Sequence, residues 1–225
     1  MIILGIHDGH NSGATIVKDG RILASVLEER LTRKKNESGF PKKSIISCLK
    51  ICGIKKNDLE KVVYASNFMH DSKYLKNPLD WYNVGIKQQI EDSKKPKLYE
   101  KIIFYQRRKE RINKVEKLLG TRKNNISFLD HHLCHVSASY YCSDFPKNKK
   151  ILAISSDGSG DNLSGSVYVC KNNILSRLSF TNRSASLGKI YSRVTALLGF
   201  KPWEHEYKIM GMAPYANYKL SKSLK

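Results

Sequence analysis

The feature that most limits what this chain can fold into is a pattern that occurs twice. Residues 2–30, "IILGIHDGHNSGATIVKDGRILASVLEER", hold three short strand-like runs separated by "DGHNS" and "KDG". Residues 150–180, "KILAISSDGSGDNLSGSVYVCKNNILSRLSF", hold three more, with a Gly-rich turn after the first and "KNN" after the second. Alternating apolar residues bounded by such turns predict antiparallel hairpins. A chain that opens two consecutive regions this way is expected to contain two related α/β units.

The text between the two meanders fits that expectation. "FPKKSIISCLKICGI" (40–54) predicts a helix, with Pro41 near its start and Gly53 at its end. "LEKVVYAS" predicts a strand, "YEKIIFYQRRKERINKVEKLLG" an amphipathic helix stopped by Gly120, and "NISFL" a further strand. Residues 68–100 are polar and lack a clean period, so a loop-rich insertion with some helix is expected there. After the second meander, "SASLGKIYSRVTALLGF" predicts another helix. The order predicts an α/β protein of the actin-like, sugar-kinase-like (ribonuclease H-type) class, built from duplicated βββαβαβα units, the second incomplete. Its expected division is residues 1–145 as a first subdomain and 146–225 as the start of a second.

Composition removes some function classes. No apolar run approaches the roughly 18 residues that a membrane-spanning helix needs. The start lacks a basic stretch leading into a long apolar one, so no export signal is read and a cytoplasmic protein is expected. Five cysteines, odd in number and mostly inside helix-like or strand-like runs, predict reduced thiols rather than a disulfide framework. The 40 Lys and Arg against 20 Asp and Glu give a net charge of +20. They lie scattered in short clusters, at 33–35, 42–43, 94–97, 107–111 and 147–150 among others, without the interleaved stacking aromatics of an RNA-reading sheet. A solvated basic surface is the favoured reading, ahead of a field for an anionic substrate and of nucleic-acid binding.

Three of the seven histidines fall within "HHLCH", residues 131–135. On a helix His131 and His135 share a face and His132 points elsewhere. Two neutral imidazoles so placed can grip one cation, but need further ligands. Asp157, at the end of a strand, could complete an N,N,O set with open positions for substrate, and Fe, Zn and Mn all suit such donors. The turns "HDGHNSGA" (7–14) and "SSDGSGDN" (155–162) occupy matching places in the two units, where small residues let backbone N–H groups approach phosphate oxygens.

Five ordered motifs then resemble a known family. "LGIHDGHNSGATIVKDGRILASVLEERLTRKKNESGFP", "HHLCHVSASYY", "SSDGSGD", "SLGKIYSRVTALLGF" and "EYKIMGMAPYA" are similar to the O-carbamoyltransferases that modify nodulation factors and antibiotics. The resemblance implies an N-terminal domain with the actin-like fold of the tRNA threonylcarbamoyl-transfer proteins, and a C-terminal domain that makes carbamoyl-adenylate from ATP and carbamoyl phosphate. It implies transfer of the carbamoyl group to a small hydroxyl-bearing acceptor with the help of a bound divalent metal. His131, His135 and Asp157 correspond to metal ligands, and a further Asp ligand of the family would lie beyond Lys225. His10 matches a histidine near the acceptor, where an imidazole can serve as general base. Lys35 matches a basic residue that would offset negative charge. Gly158 and Gly160, with Asp157, would border the adenylate phosphate. Ala216 stands where the family usually has Gly.

Two other readings accompany this one. A relative of the tRNA threonylcarbamoyl-transfer enzyme would act on nucleic acid, with steeply salt-dependent binding. An inactive fragment, or a split subunit served by a separate carbamoyl-adenylate-forming partner, would leave apolar surface exposed on the second sheet.

Overall fold

A computed structural model describes residues 1–68, 82–94 and 97–216. The first meander consists of β1 (Ile2–His7), β2 (Gly13–Lys18) and β3 (Arg21–Leu27). Asp19 and Gly20, both at positive φ, make the tight turn between β2 and β3. A short helix α1 (Glu28–Thr32) and the longer α2 (Lys42–Cys52) follow, then β4 (Lys61–Tyr64). Helices α3 (Ile86–Lys94) and α4 (Lys97–Leu119) precede β5 (Ile126–Phe128). Much of the expected 68–100 insertion lies outside the described residues; the part described within it is largely helical.

These five strands form one sheet in the order β3-β2-β1-β4-β5. The first three pair antiparallel, while β4 and β5 join parallel to β1. Three antiparallel strands continued by two parallel ones is the ribonuclease H-type arrangement, so the expected fold class is found in the connectivity itself. Alternate residues Leu4, Ile6, Ile16 and Val62 are sealed from solvent against Ile45 and Cys48 of α2 and Val115 and Leu119 of α4. Each fully buried aliphatic side chain of this kind contributes about 1.5–3 kcal/mol.

Helix α2 has no capping side chain at its own N-terminus. The buried carboxylate of Glu28 does that work from α1, accepting from the Lys43 and Ser44 amides at 3.0 and 2.7 Å and from the Ser44 hydroxyl at 2.7 Å. A negative charge at a helix N-terminus also opposes the positive end of the helix dipole. At the other end Gly53, at φ 62°, closes the helix in the left-handed conformation.

Helix α5 (His131–Tyr141) leads to the second meander, β6 (Ile151–Gly160), β7 (Leu163–Lys171) and β8 (Ile174–Asn182), paired antiparallel in chain order. Val136 and Tyr140 of α5 pack on Tyr168 and Cys170 of β7, covering one face of this sheet. On β6, Leu152 and Ile154 are 60% and 67% exposed, so apolar side chains do stand open to solvent here. Helices α6 (Leu187–Leu197) and α7 (Glu206–Met212) complete the described chain.

The basic run at 107–111 departs from the solvated reading. Arg107 and Arg111 are buried. Arg111 clasps Asp8 at 3.0 Å through both Nε and a terminal nitrogen, and donates to the Ser66 carbonyl and hydroxyl at 3.0 and 2.9 Å. Its guanidinium lies over the Tyr64 ring, 4.1 Å from the centroid. Planar, delocalised charge allows Arg to be buried this way where Lys would not be.

Candidate metal and transfer site

The site begins with how α5 is held. Asp130 is its N-cap, accepting from the Leu133 amide at 2.8 Å. His132 is fully buried and bonds Ser155 through Nδ1 at 2.8 Å, and Ser155 in turn meets Ser166. This histidine therefore fastens the helix to the second sheet. His131 and His135 are left on the neighbouring face, as their spacing predicts.

Opposite them the β6–β7 ladder breaks register between Ser156 and Gly160. Residues 157–159 bulge from the sheet, which aims Asp157 at the helix. Its Oδ2 lies 3.0 Å from His131 Nε2 and 3.9 Å from His135 Nε2, and the two imidazole nitrogens are 3.0 Å apart. One ligand atom from each residue falls within 4.8 Å of the others.

The donor set fits a divalent cation. The Ala65 carbonyl lies 3.2 Å from His131 Nδ1. A carbonyl only accepts, so Nδ1 carries the hydrogen and Nε2 of the neutral ring presents a lone pair. Nε2 then faces a carboxylate oxygen and a second imidazole nitrogen at 3.0 Å, which is repulsive unless a proton or a cation sits among them. Ligands about 2.0–2.1 Å from one tetrahedral ion lie roughly 3.3 Å from each other, close to these separations. His135 is exposed, so one side of the cluster stays open.

The charges around the cluster also bear on a proton at His131. Burial disfavours the His131 imidazolium, but the hydrogen bond and charge of Asp157 outweigh it and raise its pKa. Burial opposes ionisation of Asp157 as well, yet the His131 bond, the histidine charges and the Gly158 amide bring its pKa down to about 2. Burial and the neighbouring His131 lower the pKa of His135. Cys134, between the two histidines in sequence, does not compete as a thiolate: burial and nearby Asp130 and Asp161 push it to about 11.

The glycines have different tasks. Gly160 lies against the His131 ring so closely that a Cβ there would overlap it. Gly158 sits beside Asp157, donating its amide to Oδ1 at 2.6 Å, and its carbonyl accepts from the Ser186 hydroxyl, the N-cap of α6, at 2.7 Å. His10 stands apart from the three-residue cluster: exposed, bridged to Ser38, with its ring 5.3 Å from Trp203. Lys35 is exposed and close enough to Glu204 to lower that carboxyl's pKa, after the larger effect of Lys201. Ala216 adopts φ −67°, so the place usually held by Gly carries no backbone strain.

Two groups near the site are read in the sequence only as members of the turns at 7–14 and 155–162, with no role of their own. His7, at the end of β1, donates from Nε2 to the His10 carbonyl at 2.9 Å and lies 6.0 Å, ring to ring, from His131. Asp161 accepts the His131 amide. The role of Asp161 comes from contacts distant in sequence.

The family described as carbamoyltransferase N-terminus matches residues 2–224. The chain belongs to that family. Its relatives include nodulation protein NolNO of Sinorhizobium fredii, 28% identical over 220 residues, covering 92% of this chain and 28% of the relative. An uncharacterized protein of Methanocaldococcus jannaschii is 32% identical over 214 residues, covering 95% of this chain and 33% of that protein. The chain thus spans about a third of the length of these relatives. Among solved structures, component A of (R)-2-hydroxyglutaryl-CoA dehydratase from Acidaminococcus fermentans aligns with a TM-score of 0.45 at 17% identity, covering 89% of this chain and 55% of that one. No helix among the described residues is long and apolar enough to cross a membrane.

Proposed function

We propose that this carbamoyltransferase-family chain receives a carbamoyl group from carbamoyl-adenylate and passes it to the hydroxyl of a small acceptor. The observation that carries the reading is the meeting of His131, His135 and Asp157 within 4.8 Å, in a chain matched over residues 2–224 by the family. In the transfer, the acceptor oxygen bonds to the carbamoyl carbon, the bond from that carbon to the adenylate oxygen breaks, and AMP leaves with the electron pair. A divalent metal held by the three residues, Fe, Zn or Mn, would supply Lewis acidity for the carbonyl or a phosphate oxygen.

The chain's own residues divide the remaining work. His10 takes the acceptor's proton as general base, from an exposed position where an incoming acceptor can reach it. Lys35 offsets charge on the adenylate or acceptor. The bulge at Asp157–Gly160, capped by the N-terminus of α6 through Ser186, borders the phosphate. Carbamoyl phosphate and ATP would be turned into carbamoyl-adenylate by sequence of the kind the longer relatives carry, or by a separate subunit. The family match supports a small hydroxyl acceptor over tRNA.

The test is to supply carbamoyl-adenylate, generated in place from carbamoyl phosphate and ATP by a carbamoyl-adenylate-forming protein, with a polyol acceptor and divalent metal. Acceptor-dependent AMP release that disappears in His131→Ala is expected. Release that ignores both the acceptor and the substitution would contradict the reading.

A further inference from the structure

Asp161 follows Gly160 in the β6–β7 turn and adopts φ 47° beside Asn162 at φ 65°. For the turn alone, Asn would serve as well as Asp. Yet the carboxylate accepts three backbone hydrogen bonds from two other parts of the chain. Oδ2 takes the amides of His131 and Asn67, each at 2.8 Å, and Oδ1 takes the amide of Phe68 at 2.7 Å.

Each of these bonds bears on the metal-binding imidazole. The His131 amide is the first N–H of α5 and has no partner within the helix; Asp161 holds it while Asp130 holds the Leu133 amide. Asn67 and Phe68 belong to the segment after β4 whose Ala65 carbonyl fixes His131 Nδ1. Arg111 grips the same segment by the Ser66 and Asn67 carbonyls, at 3.0 and 3.3 Å. One carboxylate therefore ties the His131 backbone and the carbonyl that orients its ring to the same turn that follows Asp157 and Gly160.

We infer that Asp161 is a positioning residue for the metal site: by collecting the amides of His131, Asn67 and Phe68 it locks the His131 ring with Nε2 toward Asp157 and His135. It stands outside the three residues whose ligand atoms converge, its two oxygens turned to amides instead. The inference rests on the metal reading under Proposed function. Partners that orient a ligating imidazole are typically worth about 10–100-fold in metal affinity.

The experiment uses the full chain and Co2+ as probe, reading affinity by competition with a chromophoric chelator and geometry from the visible Co2+ bands. Asp161→Asn keeps a turn-compatible residue but sets an NH2 donor against an N–H. It is expected to keep the wild-type far-UV circular dichroism while weakening Co2+ by about 10–100-fold and shifting the bands. Glu28→Gln, which loosens the cap of α2 and alters a carboxylate bonded to Lys43 and Ser44 rather than to the cluster, is the control: it should lower thermal stability and leave Co2+ affinity unchanged. Asp161→Ala, which removes all three bonds, should lose at least as much affinity as Asp161→Asn. A wild-type Co2+ spectrum and affinity that Asp161→Asn leaves unaltered would overturn this inference alone. A wild-type chain that binds no Co2+ would overturn the metal reading and this inference with it.

Discussion

Gly160 and His131 share one volume: the imidazole of His131 occupies the space where any side chain at position 160 would begin. Gly160→Ala must therefore push the ring away or open the β6–β7 turn. Overpacking of this kind costs about 1–3 kcal/mol. Divalent-metal affinity should drop together with thermal stability, and calorimetric titration beside a melting curve checks both.

Arg111 and Asp8 form a buried pair whose members are 2% and 7% exposed. Arg111→Met would leave the Asp8 carboxylate without its counter-ion and the Ser66 carbonyl without its donor. Losing one partner of such a pair costs about 3–5 kcal/mol. Urea denaturation should show that loss, and Arg111→Lys should recover only part of it because one ammonium cannot serve Asp8 and Ser66 in the same planar geometry.

Glu28 satisfies the amides that begin α2. Glu28→Gln retains one acceptor oxygen but presents an NH2 group to the amide and hydroxyl of Ser44. A loss of about 1–3 kcal/mol is expected, with faster hydrogen exchange at the Lys43 and Ser44 amides as the local sign.

Burial lowers the pKa of His7 below its ordinary 6.5, the charge of His131 adding to the effect. The folded chain thus binds that proton less readily than the unfolded chain. The stability due to a neutral His7 is fully present above the ordinary value and drains away as the pH falls through it. Unfolding curves from pH 8 to 5 should show wild type losing more stability than His7→Gln, which removes both the burial cost of protonating His7 and its repulsion with His131.

The fold was legible because its signals are local. Alternation in "IILGIH" and "GATIV", the Asp19-Gly20 turn and the Gly53 stop each act within a few residues, and the two meanders announce their kinship by order alone. The pair His131 and His135 was legible for the same reason, because helical spacing sets their common face. Asp157 was reachable as a carboxylate at a strand end. What stayed hidden depends on contacts distant in sequence. Arg111 sat in a basic run that read as solvated, although Arg111, Val115 and Leu119 fall on one buried helical stripe. Asp161 was visible only as part of the turn at 155–162, since nothing near it in sequence tells that its carboxylate reaches the start of α5 and the segment after β4.

The most direct measurement is the metal content of the purified chain after saturation with Fe, Zn or Mn and removal of loosely held ions. About one ion per chain is predicted for wild type, falling well below that when His131→Ala and His135→Ala are combined. Equal metal content in the wild type and the double variant would contradict the account.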